Sequence, residues 1–283
     1  AAIRTDVDIF PDERSVAVRG SYRLENRTGE PIAELHVSLD PDTRVQRLEF
    51  GPHDVVQADE VHGYTIYRLD EPLAPGASMD FAFELLYRPR GFTINGGGTR
   101  VVANGSFFNN YDVLPQFGYD ERRQLQDRNE RRKHDLPELP RMTPIDHPDG
   151  PAANYITDSG DWVDFETVVS TAADQIALAP GDLQREWTEG GRRYFHYRAE
   201  AQVLPFFSWL SADWQVERDR WNDVAIEVYH HPAHHWNVAR MIDAAKKSLE
   251  YFSHEFSPDQ FRQFRVLEFP AYQSFAQAFA GTI

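Results

Sequence analysis

Thr5-Asp6-Val7-Asp8-Ile9-Phe10, a turn at Pro11-Asp12-Glu13, and Val16-Ala17-Val18-Arg19-Gly20-Ser21-Tyr22-Arg23-Leu24 decide the fold class. Apolar and polar residues alternate in both runs, the period of a strand with one buried face. The pattern continues outward. Asn26-Arg27-Thr28-Gly29 reads as a turn before Leu35-His36-Val37-Ser38-Leu39, and Leu73-Ala74-Pro75-Gly76 as another before Met79 to Leu85, a strand ending near Tyr87-Arg88-Pro89. Short alternating runs punctuated by Gly, Pro, Asn and Asp predict an antiparallel β-sandwich rather than βαβ units.

The middle of the chain changes character. Asn95-Gly96-Gly97-Gly98 reads as a flexible break, and Tyr119 to Lys133 is dense in Arg, Asp and Glu. Pro137, Pro140, Pro144, Pro148 and Pro151 follow, so a long ordered loop or mobile segment is expected. Strand patterns return in Trp162 to Val169, Gln175 to Gly181 and Arg193 to Arg198, and Phe206-Phe207-Ser208-Trp209-Leu210 reads as a fully apolar strand. After Arg220 the style shifts again. Val224 to Tyr229 is strand-like. Val238, Met241, Ile242, Ala245, Leu249 and Phe252 then recur at helical spacing, starting at His235 or Asn237 with Pro258 beyond the end. Phe264 to Phe269 is a further strand. The expectation is a mainly β chain: a sandwich domain over 1–218, then the opening of an α/β unit over 219–283, with the boundary near Val216 to Asn222.

Composition narrows the function. At 283 residues, with 41% hydrophobic and 26% charged residues, the chain can bury a sizeable core. A formal net charge of −16 opposes a nucleic-acid partner, because a duplex is gripped through its phosphates by Lys and Arg. It suits solubility, or attraction of cationic peptides. The absence of cysteine excludes disulfides, thiolate nucleophiles and Cys-ligated metals. No stretch approaches the roughly 18 apolar residues of a membrane-spanning helix. The start at Ala1-Ala2, without methionine or signal-peptide pattern, suggests a processed or engineered piece whose membrane anchor, if any, lies outside it.

Few residue sets could carry chemistry. His230, His231, His234 and His235 have spacings that can hold Zn²⁺, but Pro232 interrupts any helix presenting them together and no acidic partner is evident in sequence. A strand-to-helix turn with partly exposed imidazoles is the plainer interpretation. His254-Glu255 starts like His-Glu-x-x-His but continues Phe256-Ser257-Pro258, so it reads as a helix-end pair. Asn104-Gly105-Ser106 fits a glycosylation acceptor, a pattern common by chance. Asp120 to Arg123 and Asn129 to Lys133 read as solvated charge runs. Tyr194, Phe195, Tyr197, Phe206, Phe207 and Trp209 could form a binding platform, but suit a sandwich core better.

The order of these elements resembles the aminopeptidase-N family of zinc peptidases, whose saddle-shaped β-sandwich precedes a thermolysin-like catalytic domain. Its first hairpin resembles Thr5-to-Ile9 with Val18-to-Tyr22, and its tyrosine-ended strand resembles Phe81 to Tyr87. Its second sheet resembles Trp162 to Phe165 with Ala177 to Gly181, and Leu204 to Leu210 looks like the segment before the catalytic domain. Tyr229 to Val238, Phe264 to Pro270, Ser274 to Ile283, and Asn104 to Phe108 with Leu114 to Glu121 look like a bacterial branch in which the peptidase is fused to an ABC-transporter-type permease. The resemblance spans nearly the whole chain.

It implies that this chain is the N-terminal β-sandwich plus the start of the catalytic domain, ending before the zinc motif. The parent protein would then bind zinc and a peptide substrate, tethered to membrane segments on the extracytoplasmic (periplasmic) face. The chain itself would hold no catalytic residue and no metal ligand. The resemblance puts substrate contacts at Asn109, Asn110 and Gln116 and, where the family has Gly-x-Met-Glu-Asn, at Ala280 and Gly281. The amino-anchoring glutamate of that motif is missing from Ala276 to Ile283. Three functions remain: an inactive fragment of a zinc metallopeptidase, a non-enzymatic peptide- or partner-binding module of a transporter, and, ranked lowest, a carbohydrate-binding sandwich. His-Glu-x-x-His downstream of Ile283 would support the first, and a broken motif the second.

Overall fold

Alternation in the first two strands becomes alternation of burial. In β1 (Ala2–Phe10), Ile3, Thr5, Val7 and Ile9 point inward, and in β2 (Ser15–Glu25) Val16, Val18 and Tyr22 do the same. The computed structural model describes residues 1–89, 91, 98–118, 124–139, 143–144, 146–148, 162–270 and 276–279. Within these residues, β1 and β2 lie at the centre of a seven-stranded sheet. β2 continues to β7 (Ser78–Tyr87) and the edge strand β4 (Thr43–Glu49). β1 continues to β10 (Asp164–Ala172), β13 (Arg192–Arg198) and the edge strand β12 (Asp182–Glu189).

Two smaller sheets pack on its apolar face. One orders β5 (His53–Asp59), β6 (Tyr64–Leu73), β3 (Ile32–Ser38) and β9 (Gln116–Phe117). The other orders β11 (Ile176–Leu178), β14 (Ser208–Ala212) and β8 (Ser106–Asn109). The core between them holds Phe81, Phe83, Phe108, Phe165, Phe207 and Trp209, with Phe117 edge-on to Tyr22 and Phe81. Phe195, Tyr197, Phe207 and Trp209 are core residues, whereas Tyr194 and Phe206 are partly exposed.

The mainly β expectation holds, with one difference in pairing. β1 and β10 run parallel, from Ala2 opposite Asp164 to Asp8 opposite Ser170. The long connection from β1 to β10 passes through the other sheets, so no βαβ unit is formed there. Another difference lies in the charge run. Asn129 to Lys133 is not loop but most of helix α2 (Arg128–Lys133), because Asp127 Oδ1 accepts the Asn129 and Glu130 amides at 2.9 and 2.8 Å.

A third small sheet follows: β15 (Gln215–Trp221), β16 (Val224–His230) and β17 (Gln263–Leu267). Strand β15 runs across the 218/219 position. β16 and β17 are parallel and joined through helix α3 (Val238–Glu255), close to the expected Trp236-to-His254 span. Val238, Ala245 and Leu249 of α3 are buried, but Met241 (42% exposed) and Phe252 (56%) are not. A sheet this small covers only a narrow stripe of the helix. The opposite face of the sheet joins the sandwich core through Tyr229 and Leu267.

Gly20 shows how tightly the large sheet is packed. A Cβ there would sit 2.6 Å from Phe83 Cζ and 2.8 Å from Arg4 O. Gly20→Ala should therefore destabilise the fold by about 1–3 kcal/mol through overpacking. The expected result is a lower urea midpoint with little change in slope; an unaltered midpoint would show that the Phe83 ring gives way freely.

Candidate functional site

The substrate-facing residues expected from the resemblance fall on one corner, where β8 leaves its sheet, turns once as helix α1 (Asn110–Val113) and returns as β9. Asn109 caps α1: its Oδ1 accepts the Tyr111 amide at 3.0 Å, and Asp112 Oδ2 accepts the Asn109 amide at 2.9 Å. Asn110 is 3% exposed. Its Nδ2 donates to Pro205 O at 2.9 Å and its Oδ1 accepts the Phe207 amide at 3.0 Å, tying the corner to the segment before β14. Gln116 Nε2 donates to Asn110 O and Leu114 O at 3.2 and 3.1 Å.

A charged clamp holds the corner from behind. Arg100 Nε pairs with Asp112 Oδ1 at 2.9 Å, and Arg100 Nη1 with Asp40 Oδ2 at 2.8 Å and Tyr87 Oη at 3.4 Å. Burial pushes the Asp112 carboxyl above its usual range, against the opposing pull of Arg100 and of the Asn109 amide. The same burial raises Tyr87.

Asn109, Asn110 and Gln116 are thus brought together, and most of their polar capacity is spent on the fold. Among the described residues, Asn109 Nδ2 and Gln116 Oε1 have no partner. One donor and one acceptor can bind a peptide backbone; they cannot serve as nucleophile or general base. Ala280 and Gly281 lie outside the described residues. Their neighbour Phe279 packs at 5.2 Å from Phe206, which lies 5.7 Å from Tyr111 of α1. Spacing could not reveal this row of rings, because its members are far apart in sequence.

The histidines occupy the turn between β16 and α3. His230 is buried, with Nδ1 on His231 O at 2.9 Å and Nε2 without a partner. The acidic partner that the sequence did not disclose is Glu268, just past β17. Its Oε2 accepts the His231 amide at 2.7 Å and its Oε1 bonds His234 Nδ1. His231 Nδ1 accepts the Ala233 amide at 3.2 Å. His254 and Glu255 pair with each other at 2.9 Å on the exposed end of α3. Among the described residues, no group of three or more His, Asp or Glu is placed to hold a metal.

No protein-family model and no curated protein matches the sequence. Solved structures do match the fold. An M1 zinc metallopeptidase from Deinococcus radiodurans superposes with a TM-score of 0.61 at 17% identity, covering 99% of this chain and 58% of its own. A mutant of that enzyme bound to a Tyr-Ser-Ala substrate gives 0.60 at 16% identity over the same shares. A two-domain M1 zinc metallopeptidase mutant bound to L-arginine gives 0.56 at 14% identity, over 94% and 55%. At these identities the likeness is one of fold, and this chain spans somewhat over half the length of the enzymes it matches.

The histidine turn yields a test. Three of its ring nitrogens, on His230, His231 and His234, are already engaged. Zn²⁺ should therefore bind the chain no more tightly than the micromolar range, without defined stoichiometry. Calorimetry giving a one-to-one site of higher affinity, abolished by His231→Ala with His235→Ala, would overturn this.

Proposed function

We propose that this chain is the front portion of a zinc-dependent metallopeptidase of the aminopeptidase-N type, and that it supplies scaffold and substrate-orienting amides rather than the metal site. The observation that carries this proposal is superposition from end to end: 99% of the chain follows an M1 zinc metallopeptidase, including the passage from sandwich to α3 and β17. A chance sandwich match would end before the second unit.

The described residues do not fit a zinc site. The histidine turn is tied to Glu268 and to backbone groups, and among the described residues no cluster offers three ligands. No hydrolytic step is therefore assigned to this chain. Zinc, bound elsewhere in the parent protein, would polarise a scissile carbonyl and activate water. Here, Gln116 Oε1 would accept from a peptide N–H and Asn109 Nδ2 would donate to a peptide C=O. Both sit on a corner locked by Asn110 and Arg100, so orientation costs little on binding. The missing glutamate among residues 276–283 favours a substrate held by something other than its free amino group. Tethering to permease segments on the extracytoplasmic face belongs to the same proposal.

The test compares the 283-residue chain with a protein that continues beyond Ile283 on aminoacyl and N-blocked peptides. The short chain should be inactive with or without Zn²⁺, and the longer one should bind one equivalent of zinc and show chelator-sensitive turnover. Chelator-sensitive turnover by the short chain would sink the proposal. A zinc-free, inactive longer protein would favour the peptide- or partner-binding module. In the active protein, Gln116→Ala should raise KM about tenfold with kcat little changed, the signature of a lost hydrogen bond of ~1.4 kcal/mol made equally in ground and transition states.

A further inference from the structure

Helix α2 concentrates positive charge in a chain whose formal net charge is −16. Arg128, Arg131 and Arg132 stand at i, i+3 and i+4, so they share one face, where like charges repel. With Gln126 and with Leu136, Glu138 and Leu139 of the returning segment, they line an open pocket of about 360 Å³. That volume lies within the range of small-ligand sites, roughly 300–1,000 Å³.

The three guanidiniums are not equally compensated. Arg128 pairs with Glu138 Oε1 through Nε at 2.8 Å and Nη2 at 2.6 Å. Arg132 has no ion pair among the described residues. Arg131 is 8% exposed, yet its partners are neutral: Nε donates to Pro137 O at 2.8 Å, and Nη1 to Leu125 O at 2.8 Å and Gln124 Oε1 at 3.4 Å. Carbonyl oxygens satisfy hydrogen bonds without cancelling charge. Among the described residues that line it, the pocket therefore sets three guanidiniums against one carboxylate. A buried cation without a counter-charge is costly, and an anion entering the pocket relieves both that cost and the repulsion along α2.

We propose that this pocket binds an oxyanion, the phosphate or carboxylate group of a small ligand. The planar donor fork of Arg matches two oxygens of one such group, which a halide cannot offer. Glu138 acts as the competing internal anion: it neutralises Arg128 while the site is empty and weakens the ligand's hold. The site is independent of any zinc chemistry.

The experiment is calorimetric titration of the chain with inorganic phosphate and, separately, with acetate, at ionic strength held constant with chloride. One saturable site is expected, and the tighter arm identifies whether phosphate or carboxylate chemistry is read. Arg132→Gln, at an exposed position that leaves folding undisturbed, should weaken binding about tenfold, as expected for loss of a charge-assisted hydrogen bond. Glu138→Gln should strengthen it, and Arg131→Lys, which keeps the charge but loses the fork, should weaken it. Circular dichroism would verify the fold of each variant. Absence of saturable heat in both arms would overturn the proposal, and so would unchanged affinity in both Arg132→Gln and Glu138→Gln.

Discussion

The parallel pairing of β1 with β10 is the constraint on which the molecule depends. It joins a hairpin near the start of the chain to strands about 160 residues later, and without it the seven-stranded sheet would be two separate pieces. Side chains reinforce the seam from both faces. Thr5 Oγ1 donates to Thr167 Oγ1 at 2.9 Å on the buried side, where Trp209 Nε1 also reaches Thr167 at 3.2 Å. Ser170 Oγ donates to Asp8 Oδ1 at 2.5 Å on the other, and Arg192 bonds both Ser170 Oγ and Ile9 O at 2.8 Å. Such a contact is expensive to form early because a long loop must close first. Once made, it gives a single apolar face against which both smaller sheets can pack.

The second unit is fastened by a different device. Arg265 of β17 is 2% exposed, donates to Ala179 O at 3.2 Å and Gly181 O at 2.7 Å, and lies over the Tyr197 ring at 5.5 Å. Gln263 Nε2 shares the Gly181 carbonyl at 2.6 Å, and Trp214 Nε1 donates to Glu268 O at 3.1 Å. The turn after β11 is thereby drawn onto the β16–β17 sheet. Gly181 permits this because its φ is +96° and a Cβ would lie 2.5 Å from the Arg198 carbonyl carbon. The small sheet is consequently held between sandwich and helix, with a core of its own limited to Val224, Ile226, Ala245 and Leu249.

These two joints explain what was legible in the sequence. Alternation in β1, β2 and β7 could be read because each strand has one wet face, and the apolar run ending in Trp209 and Leu210 could be read because β14 is buried on both. Helix α3 was legible as a period but not as a burial pattern, since Met241 and Phe252 satisfy the spacing while remaining exposed. The parallel seam left no local mark, because pairing direction is not encoded in a period of two. Helix α2 was concealed by its own charges. Its start is set by the Asp127 cap and not by apolar rhythm. Glu268 stands 34 residues from His234, beyond any spacing rule for a histidine cluster.

The candidate corner follows the same logic at a smaller scale. Spacing alone shows Asn109, Asn110 and Gln116 as three amides near a turn, which fits either binding or folding. The geometry divides each side chain between the two. Asn110 is buried and bonded through both its nitrogen and its oxygen, to Pro205 and Phe207, so it fixes the corner rather than facing a ligand. Asn109 spends its oxygen and keeps its nitrogen, whereas Gln116 spends its nitrogen and keeps its oxygen. The result is one donor and one acceptor on a rigid base, complementary to the two polar groups of a peptide unit. Neither can take a proton at neutral pH or hold a metal tightly. On the proposed reading, such a pair would orient a peptide unit while the residues behind it hold the corner.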